Sequence, residues 1–240
     1  MTPEGFEILY EDNSFLIVNK PGGVLTQAPP GIDSMEVRIK RFLKSRDEKP
    51  GNVYLAVPHR LDRPVSGAMV FAKNVRAARR IAEQFEDRLV KKTYWAIVSG
   101  VIDEDEGTWT DYVRKVPDQP RAEIVSGERD GKIAVLHFRV RERLDANTWI
   151  EVELETGRTH QIRLQCSSRG SPILGDEMYG SGESFGPQES DTRLRSIGLH
   201  ARSLSLRHPK TREMISASAD LPQFWLPTGF DFADCDGQFQ

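Results

Sequence analysis

The sequence predicts a single α+β domain built on a long, mixed, largely antiparallel sheet, with helices packed outside it and a central cleft. Three observations support this fold class. Short apolar segments typical of strands outnumber segments with helical spacing. The 240 residues suffice to bury one sizeable hydrophobic core. The chain contains no internal repeat and no linker-like stretch that would divide it into two domains.

Strands are predicted wherever apolar residues alternate or cluster between turn-forming residues. β-branched and aromatic residues are frequent in these segments, and glycine, proline, asparagine or aspartate often bound them. The predicted strands are residues 6–10, 15–19, 53–57, 68–72, 91–98, 133–140, 148–154, 197–206 and 214–217. Residues 101–132 give no clear pattern, so no helix or strand is predicted there.

Helices are predicted from their capping residues and from apolar spacing. Asp33 or Ser34 begins the first helix, which reaches about residue 44. Asn74 begins the second helix, which reaches about residue 88, and a third helix is predicted over residues 158–168. The apolar residues of the second helix that recur at helical spacing predict its buried face: Val75, Ala78, Ile81, Ala82, Phe85 and Leu89.

Composition and charge limit the classes of function. Apolar content of 38% and charged content of 29% are typical of a globular protein, and no apolar run is long enough to span a membrane. Two cysteines far apart in sequence, and an N-terminus without a basic or apolar leader, predict a cytoplasmic protein. The net charge is −3, but residues 193–212 hold six arginines and lysines and no acid, which favours a basic face that could hold phosphates. The alternative is a set of solvated surface charges.

Asp62 is the candidate reactive group. It lies between Arg60 and Arg63 on an irregular segment bounded by two predicted strands. Cations on both sides favour the ionised carboxylate, which can act as a nucleophile or as an electrostatic stabiliser. Arg163 can point inward from the third helix, and a buried cation needs an acidic partner, for which Asp62 is the candidate. The alternative is that Asp62 merely caps a turn.

The segment around Asp62 is also part of a wider resemblance. His59-Arg60-Leu61-Asp62, followed by Ser66-Gly67 and Ala72-Lys73, resembles the catalytic motif of the RluA family of RNA pseudouridine synthases. The resemblance covers about residues 6–227, nearly the whole chain. Further motifs match in the same order: Asn19-Lys20-Pro21, Lys91-Lys92-Thr93-Tyr94, Gly157-Arg158-Thr159-His160-Gln161-Ile162-Arg163, Ile173-Leu174-Gly175-Asp176 and Leu199-His200-Ala201.

This resemblance implies a function. The family detaches uracil from the ribose of an RNA uridine, turns the base and rejoins it through carbon, after the nucleotide has left its stack. The reaction adds and removes no group, so the resemblance implies no cofactor, no nucleotide and no metal. The sequence likewise has no P-loop or metal-ligand spacing. The implied partner is rRNA or tRNA, with no membrane, and the protein is expected to be a monomer.

The resemblance also implies roles for individual residues. Asp62 matches the family's catalytic aspartate, Arg163 the arginine that pairs with it, and Tyr94 the active-site tyrosine. Arg60 resembles the residue that fills the gap left by the flipped nucleotide, since a guanidinium stacks like a base. Leu199 resembles an apolar contact to uracil. Two further residues, Arg158 and His160, are implied as contacts to backbone phosphates.

Some departures and alternatives remain at this stage. Val65 stands where the family often has threonine, and Leu164-Gln165 replaces the more usual apolar residue and histidine. The catalytic domain is predicted to cover residues 1–227, with no S4-type RNA-binding domain and a disordered tail over 228–240. One alternative is a non-catalytic RNA-binding relative. Another is a glycoside hydrolase using Glu153 or Glu155 as a second carboxylate, but both lie on the predicted solvent-facing side of their strand.

Overall fold

The computed structural model describes residues 1–144 and 146–232, and within them ten strands form one sheet. Its order is β1-β2-β3-β9-β4-β8-β7-β5-β6, and β10 pairs with β9 off this path. The pairing of β3 with β9 is parallel, and the other pairs among these described strands are antiparallel. The predicted mixed, largely antiparallel sheet is therefore confirmed. The strands are β1 Glu7–Glu11, β2 Phe15–Lys20, β3 Ser66–Ala72, β4 Lys91–Ser99, β5 Glu106–Lys115, β6 Ala122–Val125, β7 Lys132–Leu144, β8 Asn147–Leu154, β9 Leu199–Arg207 and β10 Met214–Ser218.

Three α-helices lie against the sheet in the described part of the chain: α1 Met35–Arg46, α2 Val75–Glu86 and α3 Gln161–Ser167. The predicted caps are confirmed, because the Ser34 hydroxyl accepts from the Val37 amide at 3.4 Å and the Asn74 side chain from the Ala77 amide at 2.9 Å. Short 3₁₀ turns cover Glu177–Tyr179, Thr192–Leu194 and Gln223–Thr228. Within the described ranges, no helix has the length and apolar content needed to cross a bilayer.

The sheet separates two groups of buried side chains. On one face, α1 and α3 pack against a core that includes Tyr94 and Leu199. On the other face, α2 packs on β3, while Trp95 joins Trp149 in an aromatic cluster. Adjacent Tyr94 and Trp95 thus point to opposite faces, as strand alternation predicts. The face that holds Tyr94 is the one that carries the candidate site.

Two predicted elements were wrong. In the predicted strand 53–57, Ala56 alone forms a bridge, to Ala72, and the segment around it runs irregularly toward Asp62. The buried face predicted for α2 is rotated, since Val75 and Ala82 are exposed whereas Ala77 and Gln84 are buried, and Leu89 lies beyond the end of the helix. The cause is the buried side chain of Gln84. Its Nε2 donates to the Arg207 carbonyl and its Oε1 accepts from the Arg207 N–H, so the side of α2 that carries Gln84 faces β9.

The region without a clear sequence pattern contains β5 and β6. These strands lie at one edge of the sheet, and the less exposed positions of β5 include Gly107 and Asp111, so apolar residues do not alternate clearly enough along it to be recognised. The third helix also begins later than predicted, at Gln161 instead of residue 158. His160 adopts a left-handed backbone conformation with φ of 53°, which no helix can include.

The C-terminal boundary drawn at residue 227 was too early. Phe230 is 6% exposed, and the Phe232 ring lies 4.7 Å from that of Trp149. Residues 228–232 therefore belong to the packed domain, because they cover the aromatic cluster on the face opposite the cleft. The remainder of the predicted disordered tail, 233–240, lies outside the described residues.

Candidate active site

A cleft of about 960 Å³ opens on the Tyr94 face of the sheet. Its walls come from the segment before β3, from β4, from the segment between β8 and α3, and from the start of β9. The volume suits a nucleotide-sized ligand. All seven residues predicted for the site line this cleft: Arg60, Asp62, Tyr94, Arg158, His160, Arg163 and Leu199. Residues that are up to 139 positions apart in sequence are thus brought to one place.

Hydrogen bonds from buried Lys20 hold the backbone of the segment that carries Asp62. The Lys20 ammonium is fully buried and donates to the carbonyls of Pro21, Arg63 and Val65 at 2.9, 3.2 and 2.7 Å. Burial lowers the pKa of Lys20 to about 7, although the charge of Asp62 opposes that shift. The Val65 amide donates to the Asp62 carbonyl at 3.1 Å, which closes a tight turn. The reactive segment is therefore irregular in shape but tied down at several points.

Arg163 contacts the Asp62 side chain and also pairs with a second acid that sequence reasoning did not identify. Its guanidinium forms a bidentate pair with Asp176, with Nε–Oδ2 and Nη2–Oδ1 both 2.7 Å, and a single longer contact from Nη1 to Asp62 Oδ2 at 3.3 Å. Arg163 therefore pairs with Asp62, as predicted, but the buried cation has a second acidic partner, Asp176, which holds it by two shorter hydrogen bonds. Burial alone would lower the pKa of Arg163, but hydrogen bonding and charge from Asp176 and Asp62 raise it.

This division of contacts has a chemical consequence. Asp176 is 1% exposed, and both of its carboxylate oxygens accept hydrogen bonds from Arg163. The Asp62 side chain, in contrast, is 27% exposed. Asp62 therefore keeps oxygen lone pairs that face the cleft. An ionised carboxylate with one oxygen anchored and the other accessible is suited to nucleophilic attack.

His160 approaches the same oxygen of the Asp62 carboxylate as Arg163 does. Its Nδ1 is 2.9 Å from the Tyr179 hydroxyl, and its Nε2 is 3.7 Å from Asp62 Oδ2. The Tyr179 oxygen accepts from the Ala122 amide at 2.9 Å, and the Tyr179 hydroxyl has two acceptors within reach, His160 Nδ1 at 2.9 Å and the Ala122 carbonyl at 3.4 Å. Burial lowers the pKa of His160, although Asp62 opposes the shift. The ring thus lies inside the cleft wall beside the carboxylate.

Tyr94 and Leu199 form the apolar part of the cleft. Tyr94 is 7% exposed and Leu199 is 3% exposed. Burial, and secondarily the charge of Asp62, raises the pKa of Tyr94, so its hydroxyl is protonated at neutral pH. Its ring offers a flat surface for a planar base. The two side chains and Asp62 thus place an apolar contact, an aromatic ring and a carboxylate around one space.

The arginines of the cleft are placed at its rim. Arg60 is exposed, two residues before Asp62. Arg158 is half-buried, and its Nε donates to the Ile133 carbonyl at 2.8 Å, which leaves its remaining N–H groups for a ligand. Two other histidines are structural, as predicted. His59 Nε2 accepts from the Val70 amide at 3.0 Å, and both nitrogens of buried His200 are hydrogen-bonded.

Sequence reasoning missed the residues behind the cleft wall. Lys20 and Asp176 lie in motifs that were recognised, but neither had been given a role, and Tyr179 belongs to no recognised motif. The available signal was charge, because an inward arginine of α3 predicts a buried acid. No group of three or more potential metal ligands converges in the parts of the chain that the structure covers.

Comparisons with known proteins give the cleft a context. The family model described as RNA pseudouridylate synthase matches residues 14–168. A Synechocystis protein described as an uncharacterized RNA pseudouridine synthase is 37% identical over 224 residues, which cover 90% of this chain and 65% of that protein. Ribosomal large subunit pseudouridine synthase D of Xanthomonas campestris is 37% identical, with 90% and 66% covered. The chain thus spans about two thirds of the length of these relatives.

Solved structures agree with the sequence relatives. Human RNA pseudouridylate synthase domain containing 4 superimposes with a TM-score of 0.74 at 26% identity, covering 92% of this chain and 90% of that chain. Human RNA pseudouridylate synthase domain containing 1 superimposes with a TM-score of 0.70 at 27% identity, covering 92% of this chain and 87% of that chain. The sheet and the cleft therefore belong to a fold that has been seen in proteins of this description.

Proposed function

The chain belongs to the RluA family of RNA pseudouridine synthases, and on that premise we propose that it converts specific uridines of structured rRNA or tRNA to pseudouridine. The reaction breaks the bond between ribose C1′ and uracil N1 and forms a bond between C1′ and C5. N1 gains a proton and C5 loses one, so the product is an isomer of the uridine. We expect the protein to act as a monomer in the cytoplasm, without metal or cofactor.

Asp62 is the nucleophile in this proposal. Its carboxylate is partly exposed in the cleft and anchored at one oxygen by Arg163 at 3.3 Å. Attack at ribose C1′ and attack at uracil C6 both use the free oxygen, and both leave the base able to turn. Arg163 stabilises the Asp62 carboxylate before it attacks and again when the bond to the substrate breaks. Asp176 keeps the Arg163 guanidinium in position for both steps. The anchored Asp62 carboxylate is the single observation that carries the proposal.

The remaining cleft residues receive the substrate. The ring of Tyr94 packs on the uracil, and Leu199 contacts its other side. Arg60, exposed at the rim, fills the gap that the flipped nucleotide leaves in the RNA stack. Arg158 contacts a backbone phosphate. We assign His160 to the orientation of Asp62 in place of the phosphate contact first expected, because its ring lies beside the carboxylate.

RNA selection would follow the shape of the substrate. The cleft accommodates one nucleotide, so a uridine in an exposed loop or bulge reaches Asp62 at a lower energetic cost than one in a helix. Recognition by shape and by a few phosphate contacts needs only the cations of the cleft, so it is compatible with a net charge of −3.

The test is pseudouridine mapping of total RNA from cells with and without this gene, by carbodiimide-dependent primer extension. The proposal expects one or a few rRNA or tRNA sites to disappear in the deletion strain. Wild type restores them, and a gene carrying Asp62→Asn does not. If every site persists, and the purified protein leaves unmodified transcripts unchanged while still binding them, the chain is a non-catalytic RNA-binding relative.

A further inference from the structure

Lys92 has no role in the account so far, yet it lies in the same cleft. It is on β4, two residues before Tyr94, and therefore shares with Tyr94 the side of the strand that faces the cleft. The two Cα atoms are roughly 7 Å apart, because a strand rises by about 3.3 Å per residue. The Lys92 ammonium is thus within about one nucleotide of the proposed uracil position.

The ammonium of Lys92 is unpaired in the described part of the chain. No carboxylate lies within ion-pair distance of its Nζ, and no hydrogen-bond acceptor holds it there. Glu155, a carboxylate of the same cleft, is paired with Arg88 at 3.1 Å. The environment of Lys92 is the ring of Phe85, whose centroid is 5.8 Å from Nζ, and neutral His59, which stacks on that ring.

This position is costly for a lone cation. Burial lowers the pKa of Lys92, and no acidic neighbour offsets the shift. A contact with Phe85 at that distance replaces little of the lost hydration. A half-buried cation without a partner gains most from an anion that arrives with a ligand. The other cleft cations differ, since Arg60 and Lys115 are exposed, Arg88 and Arg163 are paired with carboxylates, and half-buried Arg158 donates to the Ile133 carbonyl.

The approach to Lys92 from the cleft is open. Gly157 lies next to it, and a Cβ added at Gly157 would come within 3.9 Å of Lys92 Nζ and of no other atom. A phosphate oxygen could reach the ammonium past this glycine without moving the backbone. Lysine binds phosphate as a compact point charge with three donors.

We propose that Lys92 binds a backbone phosphate of the RNA, next to the flipped uridine, and so sets how far the nucleotide enters the cleft. This inference rests on the proposed function and adds a phosphate subsite to it. The ligand is a phosphodiester of single-stranded or looped RNA. Lys92 supplies an ammonium that is already desolvated, so binding at this point costs less than at an exposed lysine.

The test compares Lys92→Met with Lys91→Met, which removes the same charge one residue earlier on the same strand but from an exposed side chain. RNA affinity is measured in the Asp62→Asn background, on whichever unmodified rRNA or tRNA transcript the wild type converts. Lys92→Met should weaken binding about tenfold. It should also reduce the slope of log affinity against log salt by about 0.7 to 0.9, the contribution of one phosphate. Lys91→Met should change the slope by much less.

Lys92→Arg distinguishes a phosphate contact from a packing role. Arginine keeps the cation, so this variant should retain the salt slope even if its affinity falls. If Lys92→Met folds normally by circular dichroism but keeps the wild-type salt slope, the inference is wrong and Lys92 serves only to pack on Phe85. If the wild type converts no RNA and binds none, the proposed function fails, and this inference fails with it.

Discussion

At the scale of single residues, the nucleophilic role proposed for Asp62 depends on an acid that does not line the cleft. Asp176 holds the Arg163 guanidinium by two bonds of 2.7 Å, and only the remaining nitrogen reaches Asp62. The unequal strength of these contacts matters, because a guanidinium that one carboxylate already neutralises binds a second carboxylate less tightly. Asp62 is thus oriented while one of its oxygens stays without a protein partner in the described part of the chain, as the proposed nucleophilic role requires.

Asp176→Asn tests this arrangement. The substitution leaves a buried arginine with one charged partner, so we expect kcat to fall about a hundredfold through misplacement of Asp62. The KM should change little, because Asp176 does not line the cleft. The free energy of unfolding should drop by about 3 kcal/mol, as for other broken buried pairs. Steady-state kinetics and urea denaturation measure both effects.

Asp191→Asn is the matched control, since Asp191 pairs with Arg193 at 2.8 Å on the surface. It should leave kcat and stability almost unchanged. A KM that rises with kcat unchanged in Asp176→Asn would contradict the positioning role. Sequence reasoning could predict that Arg163 needs a buried acid. It could not identify Asp176, because the turn at Gly175 that aims this side chain depends on tertiary packing.

At the scale of elements, the cleft depends on the parallel contact between β3 and β9. Gly67 lies opposite Ala201 in this pair, directly after the Asp62 segment. Its φ of 116° is available to few residues other than glycine, and an added Cβ would lie 2.3 Å from the Ala201 carbonyl oxygen. The two strands can approach this closely only because position 67 has no side chain.

Gly67→Ala should therefore destabilise the protein by more than about 3 kcal/mol, through backbone strain together with a clash against β9. Chemical denaturation monitored by tryptophan fluorescence gives the value. Gly51→Ala is the control, because a Cβ there would meet nothing within 4 Å and its φ is not positive. A loss of less than about 1 kcal/mol in Gly67→Ala would show that β3 and β9 can separate at little cost.

The elements that the sequence predicted well are those with strong local signals. The caps Ser34 and Asn74 lie where they were expected, and the strongly alternating strand β8 begins and ends within one residue of its prediction. The failures have tertiary causes. Residues 53–57 look like a strand but are drawn out of the sheet toward the cleft, and β5 and β6 look like loops because they lie at a half-exposed edge.

At the scale of the whole molecule, half-buried His59 and fully buried His200 should make stability depend on pH. Burial lowers the pKa of His59 to about 3 and that of His200 to about 4, from an ordinary value of 6.5. The unfolded chain therefore binds more protons than the folded one below pH 6.5. The stability that neutral histidine contributes is complete above pH 6.5 and is lost as the pH falls toward 4.

His200→Gln should remove part of this dependence. The free energy of unfolding of the wild type should fall between pH 6.5 and 4, with His200 contributing up to about 1.4 kcal/mol per pH unit. The variant should lose that contribution to the slope, whatever its stability at pH 7. Urea unfolding at several pH values measures it, with His137→Gln as an exposed control. An unchanged slope in His200→Gln would mean that His200 is already charged in the folded state.

The fold class could be predicted from the sequence, and so could the set of residues that gather in the cleft. All seven residues chosen from the sequence line one cleft, because the motifs that carry them lie at the ends of strands that meet in the sheet. The network behind them was not predictable. Lys20, Asp176 and Tyr179 act through contacts across 43, 13 and 19 positions, and no local pattern records such contacts.

The central claim is that Asp62 is the nucleophile of a uridine isomerisation. The most direct measurement is tritium release from an unmodified rRNA or tRNA transcript that carries uridine labelled at C5, since C5 loses its hydrogen when it bonds to the ribose. Wild type should release tritium from a limited number of uridines. Asp62→Asn should release it at least a thousandfold more slowly (~10³) while binding the same RNA and unfolding at a similar urea concentration. Release by Asp62→Asn at the wild-type rate would contradict the account.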